Sequence, residues 1–514
     1  MLGPRKERCV ERLVPISLEA AVPTDHFYRH LEAVLDLSFV REWAAECYAE
    51  RGRPSIDPVV FFKLQLVMFF EGVRSERQLM RIVADRLSVR WYVGYELDEP
   101  LPDHSSLTRI RQRLGLLIVR RFFEHVVELC QQAGLVRGNE LFFDGTKVRA
   151  NADVDSLVPR WYQQAKNHLG ALFADEPAEP LDPDDAAPRE AEAVADACDL
   201  PLFDTAADAV HLAEANRTRW NILDECRLDP ARPGSGSYRR KSDLRVSTTD
   251  PDAALLHTGE QLRLGYRAHY VVDGGRARVI LGALVTPADV MDNQVMQDLL
   301  WRVRFRFHLH PRRAVGDTKY GTAENIRALE EEGIGAYVPL PDFDGRTPYY
   351  GAARFTYDRA RDEYRCPQGQ PLTRRRVKSA EEVVIYRAAK EVCNACPVKA
   401  ACTANATGRQ VRRSVHAHYL DRVRAYHQTE AYKKAMRKRS VWVEPLFGEA
   451  KDWHGLRRVR LRGLQNVNCE GALIAAGQNL KRWLSRTGWG RRHGPCGSLA
   501  LSRSMPAAVS PTVL

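Results

Sequence analysis

Apolar positions divide the chain into a helical part, a mixed part and a part that keeps neither rhythm. Residues 57–73, "DPVVFFKLQLVMFFEGV", are apolar almost all round, which predicts a buried helix. Asp57 suits its cap and Pro58 its first position. "SERQLMRIVADRL" (75–87) starts a second helix at Ser75. "PDHSSLTRIRQRLG" (102–115) opens on capping residues and ends on Gly115, and "VRRFFEHVVELCQQAG" (119–134) ends on Gly134. Residues 25–135 therefore read as one helical block.

The rhythm changes at residue 140. "ELFFD" (140–144) is a short apolar strand that ends in a carboxylate. "LRLGYRAHYVVDGG" (262–275) and "RARVILGALVT" (276–286) predict two strands joined at Asp273-Gly274-Gly275. An amphipathic helix follows in 292–307, then a short strand "RRAVGD" (312–317), a helix closed by Gly333 (322–333) and a strand "IGAYVPL" (334–340). This order predicts a mixed sheet with helices packed on it. Residues 344–422 break the pattern. A long helical tract then leads to "VWVEPLFGEAKDWHGLRRVRLRGL" (441–464) and an amphipathic helix in 472–484.

At 514 residues, two or three domains are expected. No apolar run reaches the length of a membrane span, and "MLGPRKERCVERL" has no apolar stretch of the kind a signal peptide needs. Eleven cysteines, an odd number, fit a reducing cytoplasm better than a disulfide framework.

Charge sharpens this picture. The net charge is +11, compatible with a polyanionic partner. Residues 172–208 are strongly acidic with Arg189 as their only basic residue, and predict a solvated insertion. "EANRTRWNILDECR" (214–227) is helix-like. Basic runs stand out at 374–378, 433–439 and 456–464. Arg109 and Arg113 lie four apart, on one helical face. That face could bind DNA or simply be solvated.

Asp144 and Asp317 each follow a short apolar run, and each is followed by a threonine and a lysine, "DGTK" and "DTK". Carboxylates side by side need something to balance their repulsion. A pair of Mg²⁺ ions would do so, because hard oxygen ligands suit Mg²⁺. Two such ions suit in-line displacement at phosphorus. Other carboxylates have simpler readings. Asp273 is expected in a turn, Asp289 and Asp292 as caps of the following helix, and Glu449 paired with nearby Arg or Lys. A third carboxylate would complete the site, and Glu449 is one candidate for that place. Pro445 places Glu444 at a helix N-terminus, where the helix dipole favours the ionised form. Leu446, Phe447, Ala450 and Trp453 then mark the buried face.

"LFFDGTKVRANA", "AVGDTKYGTAENIRALEEEGIGAYVPLP" and "VEPLFGEAKDWHGLRRVRLRGLQNV" together resemble the DDE transposases of bacterial insertion sequences. The nearest branch carries a four-cysteine insert before the final glutamate. The likeness runs from about residue 20 to 485. It implies an α/β, RNase H-like mixed-sheet catalytic core with an N-terminal helical domain and a Cys-rich insert. The implied segments are 1–136 (helical, DNA-binding), 137–153 and 237–343 (core), 154–236 (insertion), 344–422 (four-Cys insert), 423–487 (core helices) and 488–514 (disordered tail). The resemblance also implies the triad Asp144, Asp317 and Glu444 holding two Mg²⁺ (or Mn²⁺) ions, with Lys451 on DNA phosphate. Lys451 stands at the family's spacing from Glu444. The family's arginine position is Ser440 here and its tyrosine position is Arg437, which leaves Arg437 and Arg439 to supply the charge.

Cys366, Cys393, Cys396 and Cys402 form C-x26-C-x2-C-x5-C, a set that would suit one structural Zn²⁺. A redox pair, or thiols that merely fill the insert, would use the same residues. Function then follows from the resemblance. The protein would bind its element's terminal inverted repeats as a homodimer, cut the ends, and join 3′-hydroxyls to target DNA. Arg457 and Arg458 would add phosphate contacts. A cytoplasmic, nucleoid-associated bacterial protein is expected. The alternatives are an RNase H-like nuclease that cuts without joining, and a non-catalytic DNA-binding derivative.

Overall fold

The structure is a computed structural model describing residues 15–48, 55–173, 245–258, 261–341, 348–379 and 382–489. The helix-like stretch 214–227, all but the first two residues of the acidic stretch 172–208, and the tail after residue 489 lie outside the described residues.

Local chemistry sets the helix ends. Asp57 accepts the Val59 N–H at 2.8 Å ahead of the helix Pro58–Phe70, and Asp103 accepts the Ser105 N–H at 2.8 Å ahead of His104–Gln132. Gly115, at φ 64°, breaks that long element in two, as the two sequence segments require. The segment 75–87 yields Glu76–Asp85, followed directly by a second helix, Leu87–Val93.

The central sheet uses β1 (Glu140–Arg149), β4 (Ala254–Thr258), β5 (Gln261–Asp273), β6 (Ile280–Pro287), β7 (Arg313–Val315) and β8 (Gly335–Tyr337), while short β2 (Leu157–Pro159) and β3 (Arg245–Ser247) pair separately. The order is β4-β5-β1-β7-β8, with β6 also on β5. β1, β5 and β6 are antiparallel neighbours, whereas β1, β7 and β8 run parallel. Leu141, Phe142 and Phe143 are all buried because both faces of the sheet are covered. Asp273 has the turn role expected of it: it accepts the N–H groups of Gly138 and Gly275, each at 2.8 Å.

Helix Leu464–Thr487 packs against both β6 and His104–Gln132. One hydrophobic cluster therefore runs from Tyr28 through the sheet to Leu484, so the N-terminal helices share a core with the sheet. Two asparagines of this helix also engage the β6 backbone. Asn468 exchanges two hydrogen bonds with Val285, both 2.8 Å, and Asn479 does the same with Ile280 at 2.8 and 2.7 Å.

Residues 356–414 build a second sheet from β9 (Thr356–Asp358), β10 (Glu363–Arg365), β11 (Pro371–Lys378), β12 (Val383–Ala388) and β13 (Gln410–Ser414). It is antiparallel throughout, in the order β13-β12-β11-β10-β9. Leu372, Tyr386, Cys393 and Cys402 belong to its own small core.

One expectation needs correcting. The helix predicted over 292–307 begins at Met296 with Val295 at its cap, so neither Asp289 nor Asp292 caps it. The buried Asp292 carboxylate is instead ion-paired with Arg267 and with the half-exposed Lys319.

Candidate active site

Strand register explains why two distant aspartates meet. In the parallel pair β1–β7, Phe142 sits opposite Val315. Two residues further along each path come Asp144 and Asp317, and the Asp317 charge acts on Asp144. Asp144 lies within β1, with its side chain 13% exposed, and accepts the Gly145 N–H at 2.9 Å. Asp317 lies just past β7, where the chain turns into a short 3-10 helix, Thr318–Tyr320. Its carboxylate caps that turn, accepting the Lys319 N–H at 2.9 Å.

Glu444 arrives from a third direction, as the first residue of the helix Glu444–Asp452 with Pro445 behind it. Leu446, Phe447 and Ala450 bury the helix's inner face. Phe447 stacks on Tyr270 at 4.4 Å, and Tyr270 is the residue paired with Asp144 across β1–β5. The helix is thus docked one strand away from Asp144. Lys451, a turn and more further on, donates to Thr146 Oγ1 at 2.5 Å. Trp453 departs from the expectation of burial. The helix stops at Asp452, Trp453 falls at its C-cap, and its side chain is 74% exposed.

Arg439 connects the carboxylates. Its Nη1 lies 3.3 Å from Asp144 Oδ2 and its Nη2 lies 3.9 Å from Glu444 Oε1. Burial pushes the Asp144 carboxyl up to about 6; the Arg439 charge and the Gly145 N–H oppose this, and the charges of Asp317 and Glu444 add to it. Lys451 is lowered by burial and by the Arg457 charge.

Glu449 has a different environment. It ion-pairs with Lys481 at 2.5 Å and Arg482 at 3.6 Å, and accepts from Gln478 Nε2 at 3.0 Å. Burial alone would raise its pKa, but these partners and His454 hold it far below the ordinary carboxylate range.

The predicted basic residues are spread out. Arg437 is exposed on Glu430–Trp442. Arg457 pairs with Asp452 at 3.0 Å, and Arg458 donates to Asn151 at 3.1 Å. Their segment runs beside the end of β1, where the Arg149 N–H donates to the Arg457 carbonyl at 3.1 Å. Arg109 and Arg113 are exposed on the N-terminal helices, remote in sequence from this segment, and Arg113 also lies over the Tyr48 ring at 4.9 Å.

The four cysteines gather at the second sheet. Burial raises the Cys402 thiol, Arg409 opposes this, and the Cys393, Cys366 and Cys396 thiols raise it further. The Arg409 N–H donates to Cys393 Sγ at 3.2 Å. Among the described residues, no group of three or more His, Cys, Asp or Glu side chains is arranged to hold a metal ion as it stands. The four thiols act electrostatically on one another, and Asp317 and Glu444 act on Asp144, without either set being drawn into coordination geometry.

Sequence reasoning missed a layer beneath Asp144, formed by Asp292, Arg267, His269 and Lys319. The lysine of "DTK" was its one visible sign.

Two family models match the chain. A Transposase domain (DUF772) matches residues 16–113 and a Transposase DDE domain matches residues 365–484. The first span holds Arg109 and Arg113. The second holds the four cysteines, Glu444 and Lys451. Asp144 and Asp317 lie between the two. No curated protein and no solved structure matches. The matches support a transposase function, and they support the insertion-sequence DDE transposases that the sequence resembles. A DDE domain of this kind implies, in general, a metal-dependent enzyme that cleaves DNA. No helix among the described residues is long and apolar enough to cross a membrane.

Proposed function

We propose that this protein binds the terminal inverted repeats of its own insertion sequence, cleaves the DNA ends and joins the freed 3′-hydroxyls to target DNA. The core would be RNase H-like: three antiparallel strands, β1, β5 and β6, then parallel β7 and β8, support that reading. The observation that carries the proposal is the meeting of Asp144, Asp317 and Glu444. They come from three distant segments, and the charges of the other two act on Asp144.

The donor set fits divalent cations. The Arg439 guanidinium bridges Asp144 and Glu444, Asp317 adds a third carboxylate charge, and burial holds the Asp144 carboxyl high despite Arg439. When bound, two Mg²⁺ or Mn²⁺ ions supply activation of the attacking oxygen and stabilisation of the leaving one. Asp144 and Asp317 would hold both ions and Glu444 the second. Arg439, released from Asp144 and Glu444, would then turn to phosphate with Arg437. Lys451, Arg457 and Arg458 would hold the backbone near the cut, and Arg109 and Arg113 would contact the element end. The four thiols form a soft donor set that would take one structural Zn²⁺. Cutting two ends together calls for a dimer on DNA.

The test is a nicking and joining assay on labelled element-end DNA with Mg²⁺. Asp144→Asn and Asp317→Asn should each lose about 10³-fold or more in both steps while still shifting the DNA in a gel. Cutting without joining of pre-cut ends by the unaltered protein would leave a nuclease. Full activity in both variants would remove the proposed site.

A further inference from the structure

The layer beneath the aspartates contains a buried carboxylate that the proposed chemistry does not use. Asp292 is 3% exposed. Its Oδ2 accepts from Arg267 Nη1 at 2.9 Å and from Lys319 Nζ at 2.7 Å. Its Oδ1 faces His269 Nδ1 at 3.5 Å, just beyond a hydrogen bond. His269 Nε2 is satisfied by Thr286 Oγ1 at 2.9 Å.

Two neighbours of Asp292 stand next to the aspartates. Lys319 lies two residues past Asp317, in the turn that Asp317 caps. Gly145 follows Asp144 and lies directly on the cluster: a Cβ there would sit 2.5 Å from Asp292 Oδ1 and 3.1 Å from His269 Nδ1. Glycine at 145 is what lets β1 settle onto Asp292. The parallel pairing of β1 and β7 ends at Phe142 and Val315, before either aspartate is reached. Beyond that point backbone pairing no longer fixes one carboxylate relative to the other. The tie from Lys319 through Asp292 to Arg267 of β5, whose backbone pairs with β1 at Lys147, crosses this gap.

We propose that Asp292 is a positioning residue that fixes the Asp317 turn against the β1–β5 pair through Lys319 and Arg267, holding the two aspartates together for a divalent cation. The inference rests on the metal-binding reading above. A surface ion pair would order little, since such pairs contribute about 0–1 kcal/mol. This one ends on a buried carboxylate with a second cationic partner, so breaking it leaves charge unpaired under the site. Residues that orient metal ligands through one intervening group typically change metal affinity by about 10–100-fold.

The experiment is a titration of the DNA-free, full-length protein with Mn²⁺ alone, read by the loss of the free-ion electron paramagnetic resonance signal. Asp292→Asn and Lys319→Gln should each weaken Mn²⁺ binding about 10–100-fold, and the double variant should be no weaker than the weaker single one. Lys319→Arg should restore most of the affinity. Lys319 is 50% exposed, so Lys319→Gln keeps the comparison alive if Asp292→Asn does not fold. A merely structural role would lower the melting temperature and leave Mn²⁺ affinity unchanged, which overturns the proposal. Asp144→Asn separates the two levels. If it abolishes binding while Asp292→Asn and Lys319→Gln bind normally, the positioning role alone falls. If Asp144→Asn binds Mn²⁺ as well as the unaltered protein, the metal site and the positioning role fall together.

Discussion

The aspartate side and the glutamate side of the candidate site are held by different means. Asp144 belongs to a strand paired on both edges, and Asp317 to a turn that its own side chain caps. Glu444 stands at a helix start, 57% exposed, and its one ion pair shown is the 3.9 Å approach of Arg439. The helix body is fixed by Phe447 on Tyr270 and by Lys451 on Thr146, while its first carboxylate stands more than half exposed. One half of the candidate site is held within the sheet and its turn, and the other stands at the exposed start of a docked helix.

The largest effect should separate the two glutamates of that helix. Glu444→Gln should lower cleavage about 10³-fold or more with end binding retained. Glu449→Gln should keep cleavage within a few fold, but cost about 1–3 kcal/mol in denaturant unfolding, because Arg482 and Lys481 lose their partner. A dead Glu449→Gln beside an active Glu444→Gln would reverse the assignment.

Next comes a contrast in how carboxylates respond to pH. Glu124 is buried between Arg302 and Arg306, at 2.6 and 2.8 Å. Burial would raise it, but these arginines hold it down to about 2. A lowered folded-state pKa means stability that is present above the ordinary value near 4.5 and lost as pH falls through about 2. Glu124→Gln should cost about 3–5 kcal/mol at neutral pH, and its urea midpoint should depend less on acid than that of the unaltered protein. Asp144 has the opposite sign. Its folded-state pKa is raised, so its ionised form opposes folding above about 6, and that opposition fades as pH falls towards the ordinary value of 3.8.

A smaller effect should follow from Arg439→Ala. Arg439 favours the ionised form of Asp144, so its loss should raise that pKa above about 6. The acid limb of metal-dependent cleavage should move to higher pH, with about a tenfold loss near pH 6. An unmoved limb would show that Arg439 does not govern Asp144. The smallest effect on chemistry should come from Cys393→Ser, which should remove about one zinc per chain by elemental analysis. Unchanged zinc content would sink the four-thiol site.

Much of this was legible from local pattern. The apolar pairs before Asp144 and Asp317, the hairpin at Asp273 and the Pro445 signal at Glu444 are all short-range features. What escaped was set by distance in sequence. The β1–β7 register brings the segments that lead into residues 144 and 317 side by side, and no local rhythm encodes it. Asp292 reads as a helix cap until the fold places Arg267 and Lys319 against it. Strands β9 and β10 are three residues each, too short for alternation to show, so the second sheet was read only as a broken pattern. Trp453 keeps the helical spacing of the buried face, but the helix ends one residue before it.

The asparagines against β6 carry a consequence for the newborn chain. Their carboxamides imitate a neighbouring strand, occupying N–H and C=O groups that would otherwise invite another chain to pair. Val285 and Ile280 precede their partners by 183 and 199 residues. At roughly 5–20 residues per second, synthesis leaves that edge uncovered for on the order of ten to forty seconds. Premature termination before Asn468 would leave the edge permanently bare. Fragments of this protein that stop short of the last helix should therefore be sticky, and should be cleared or aggregate rather than compete with the full-length chain for DNA.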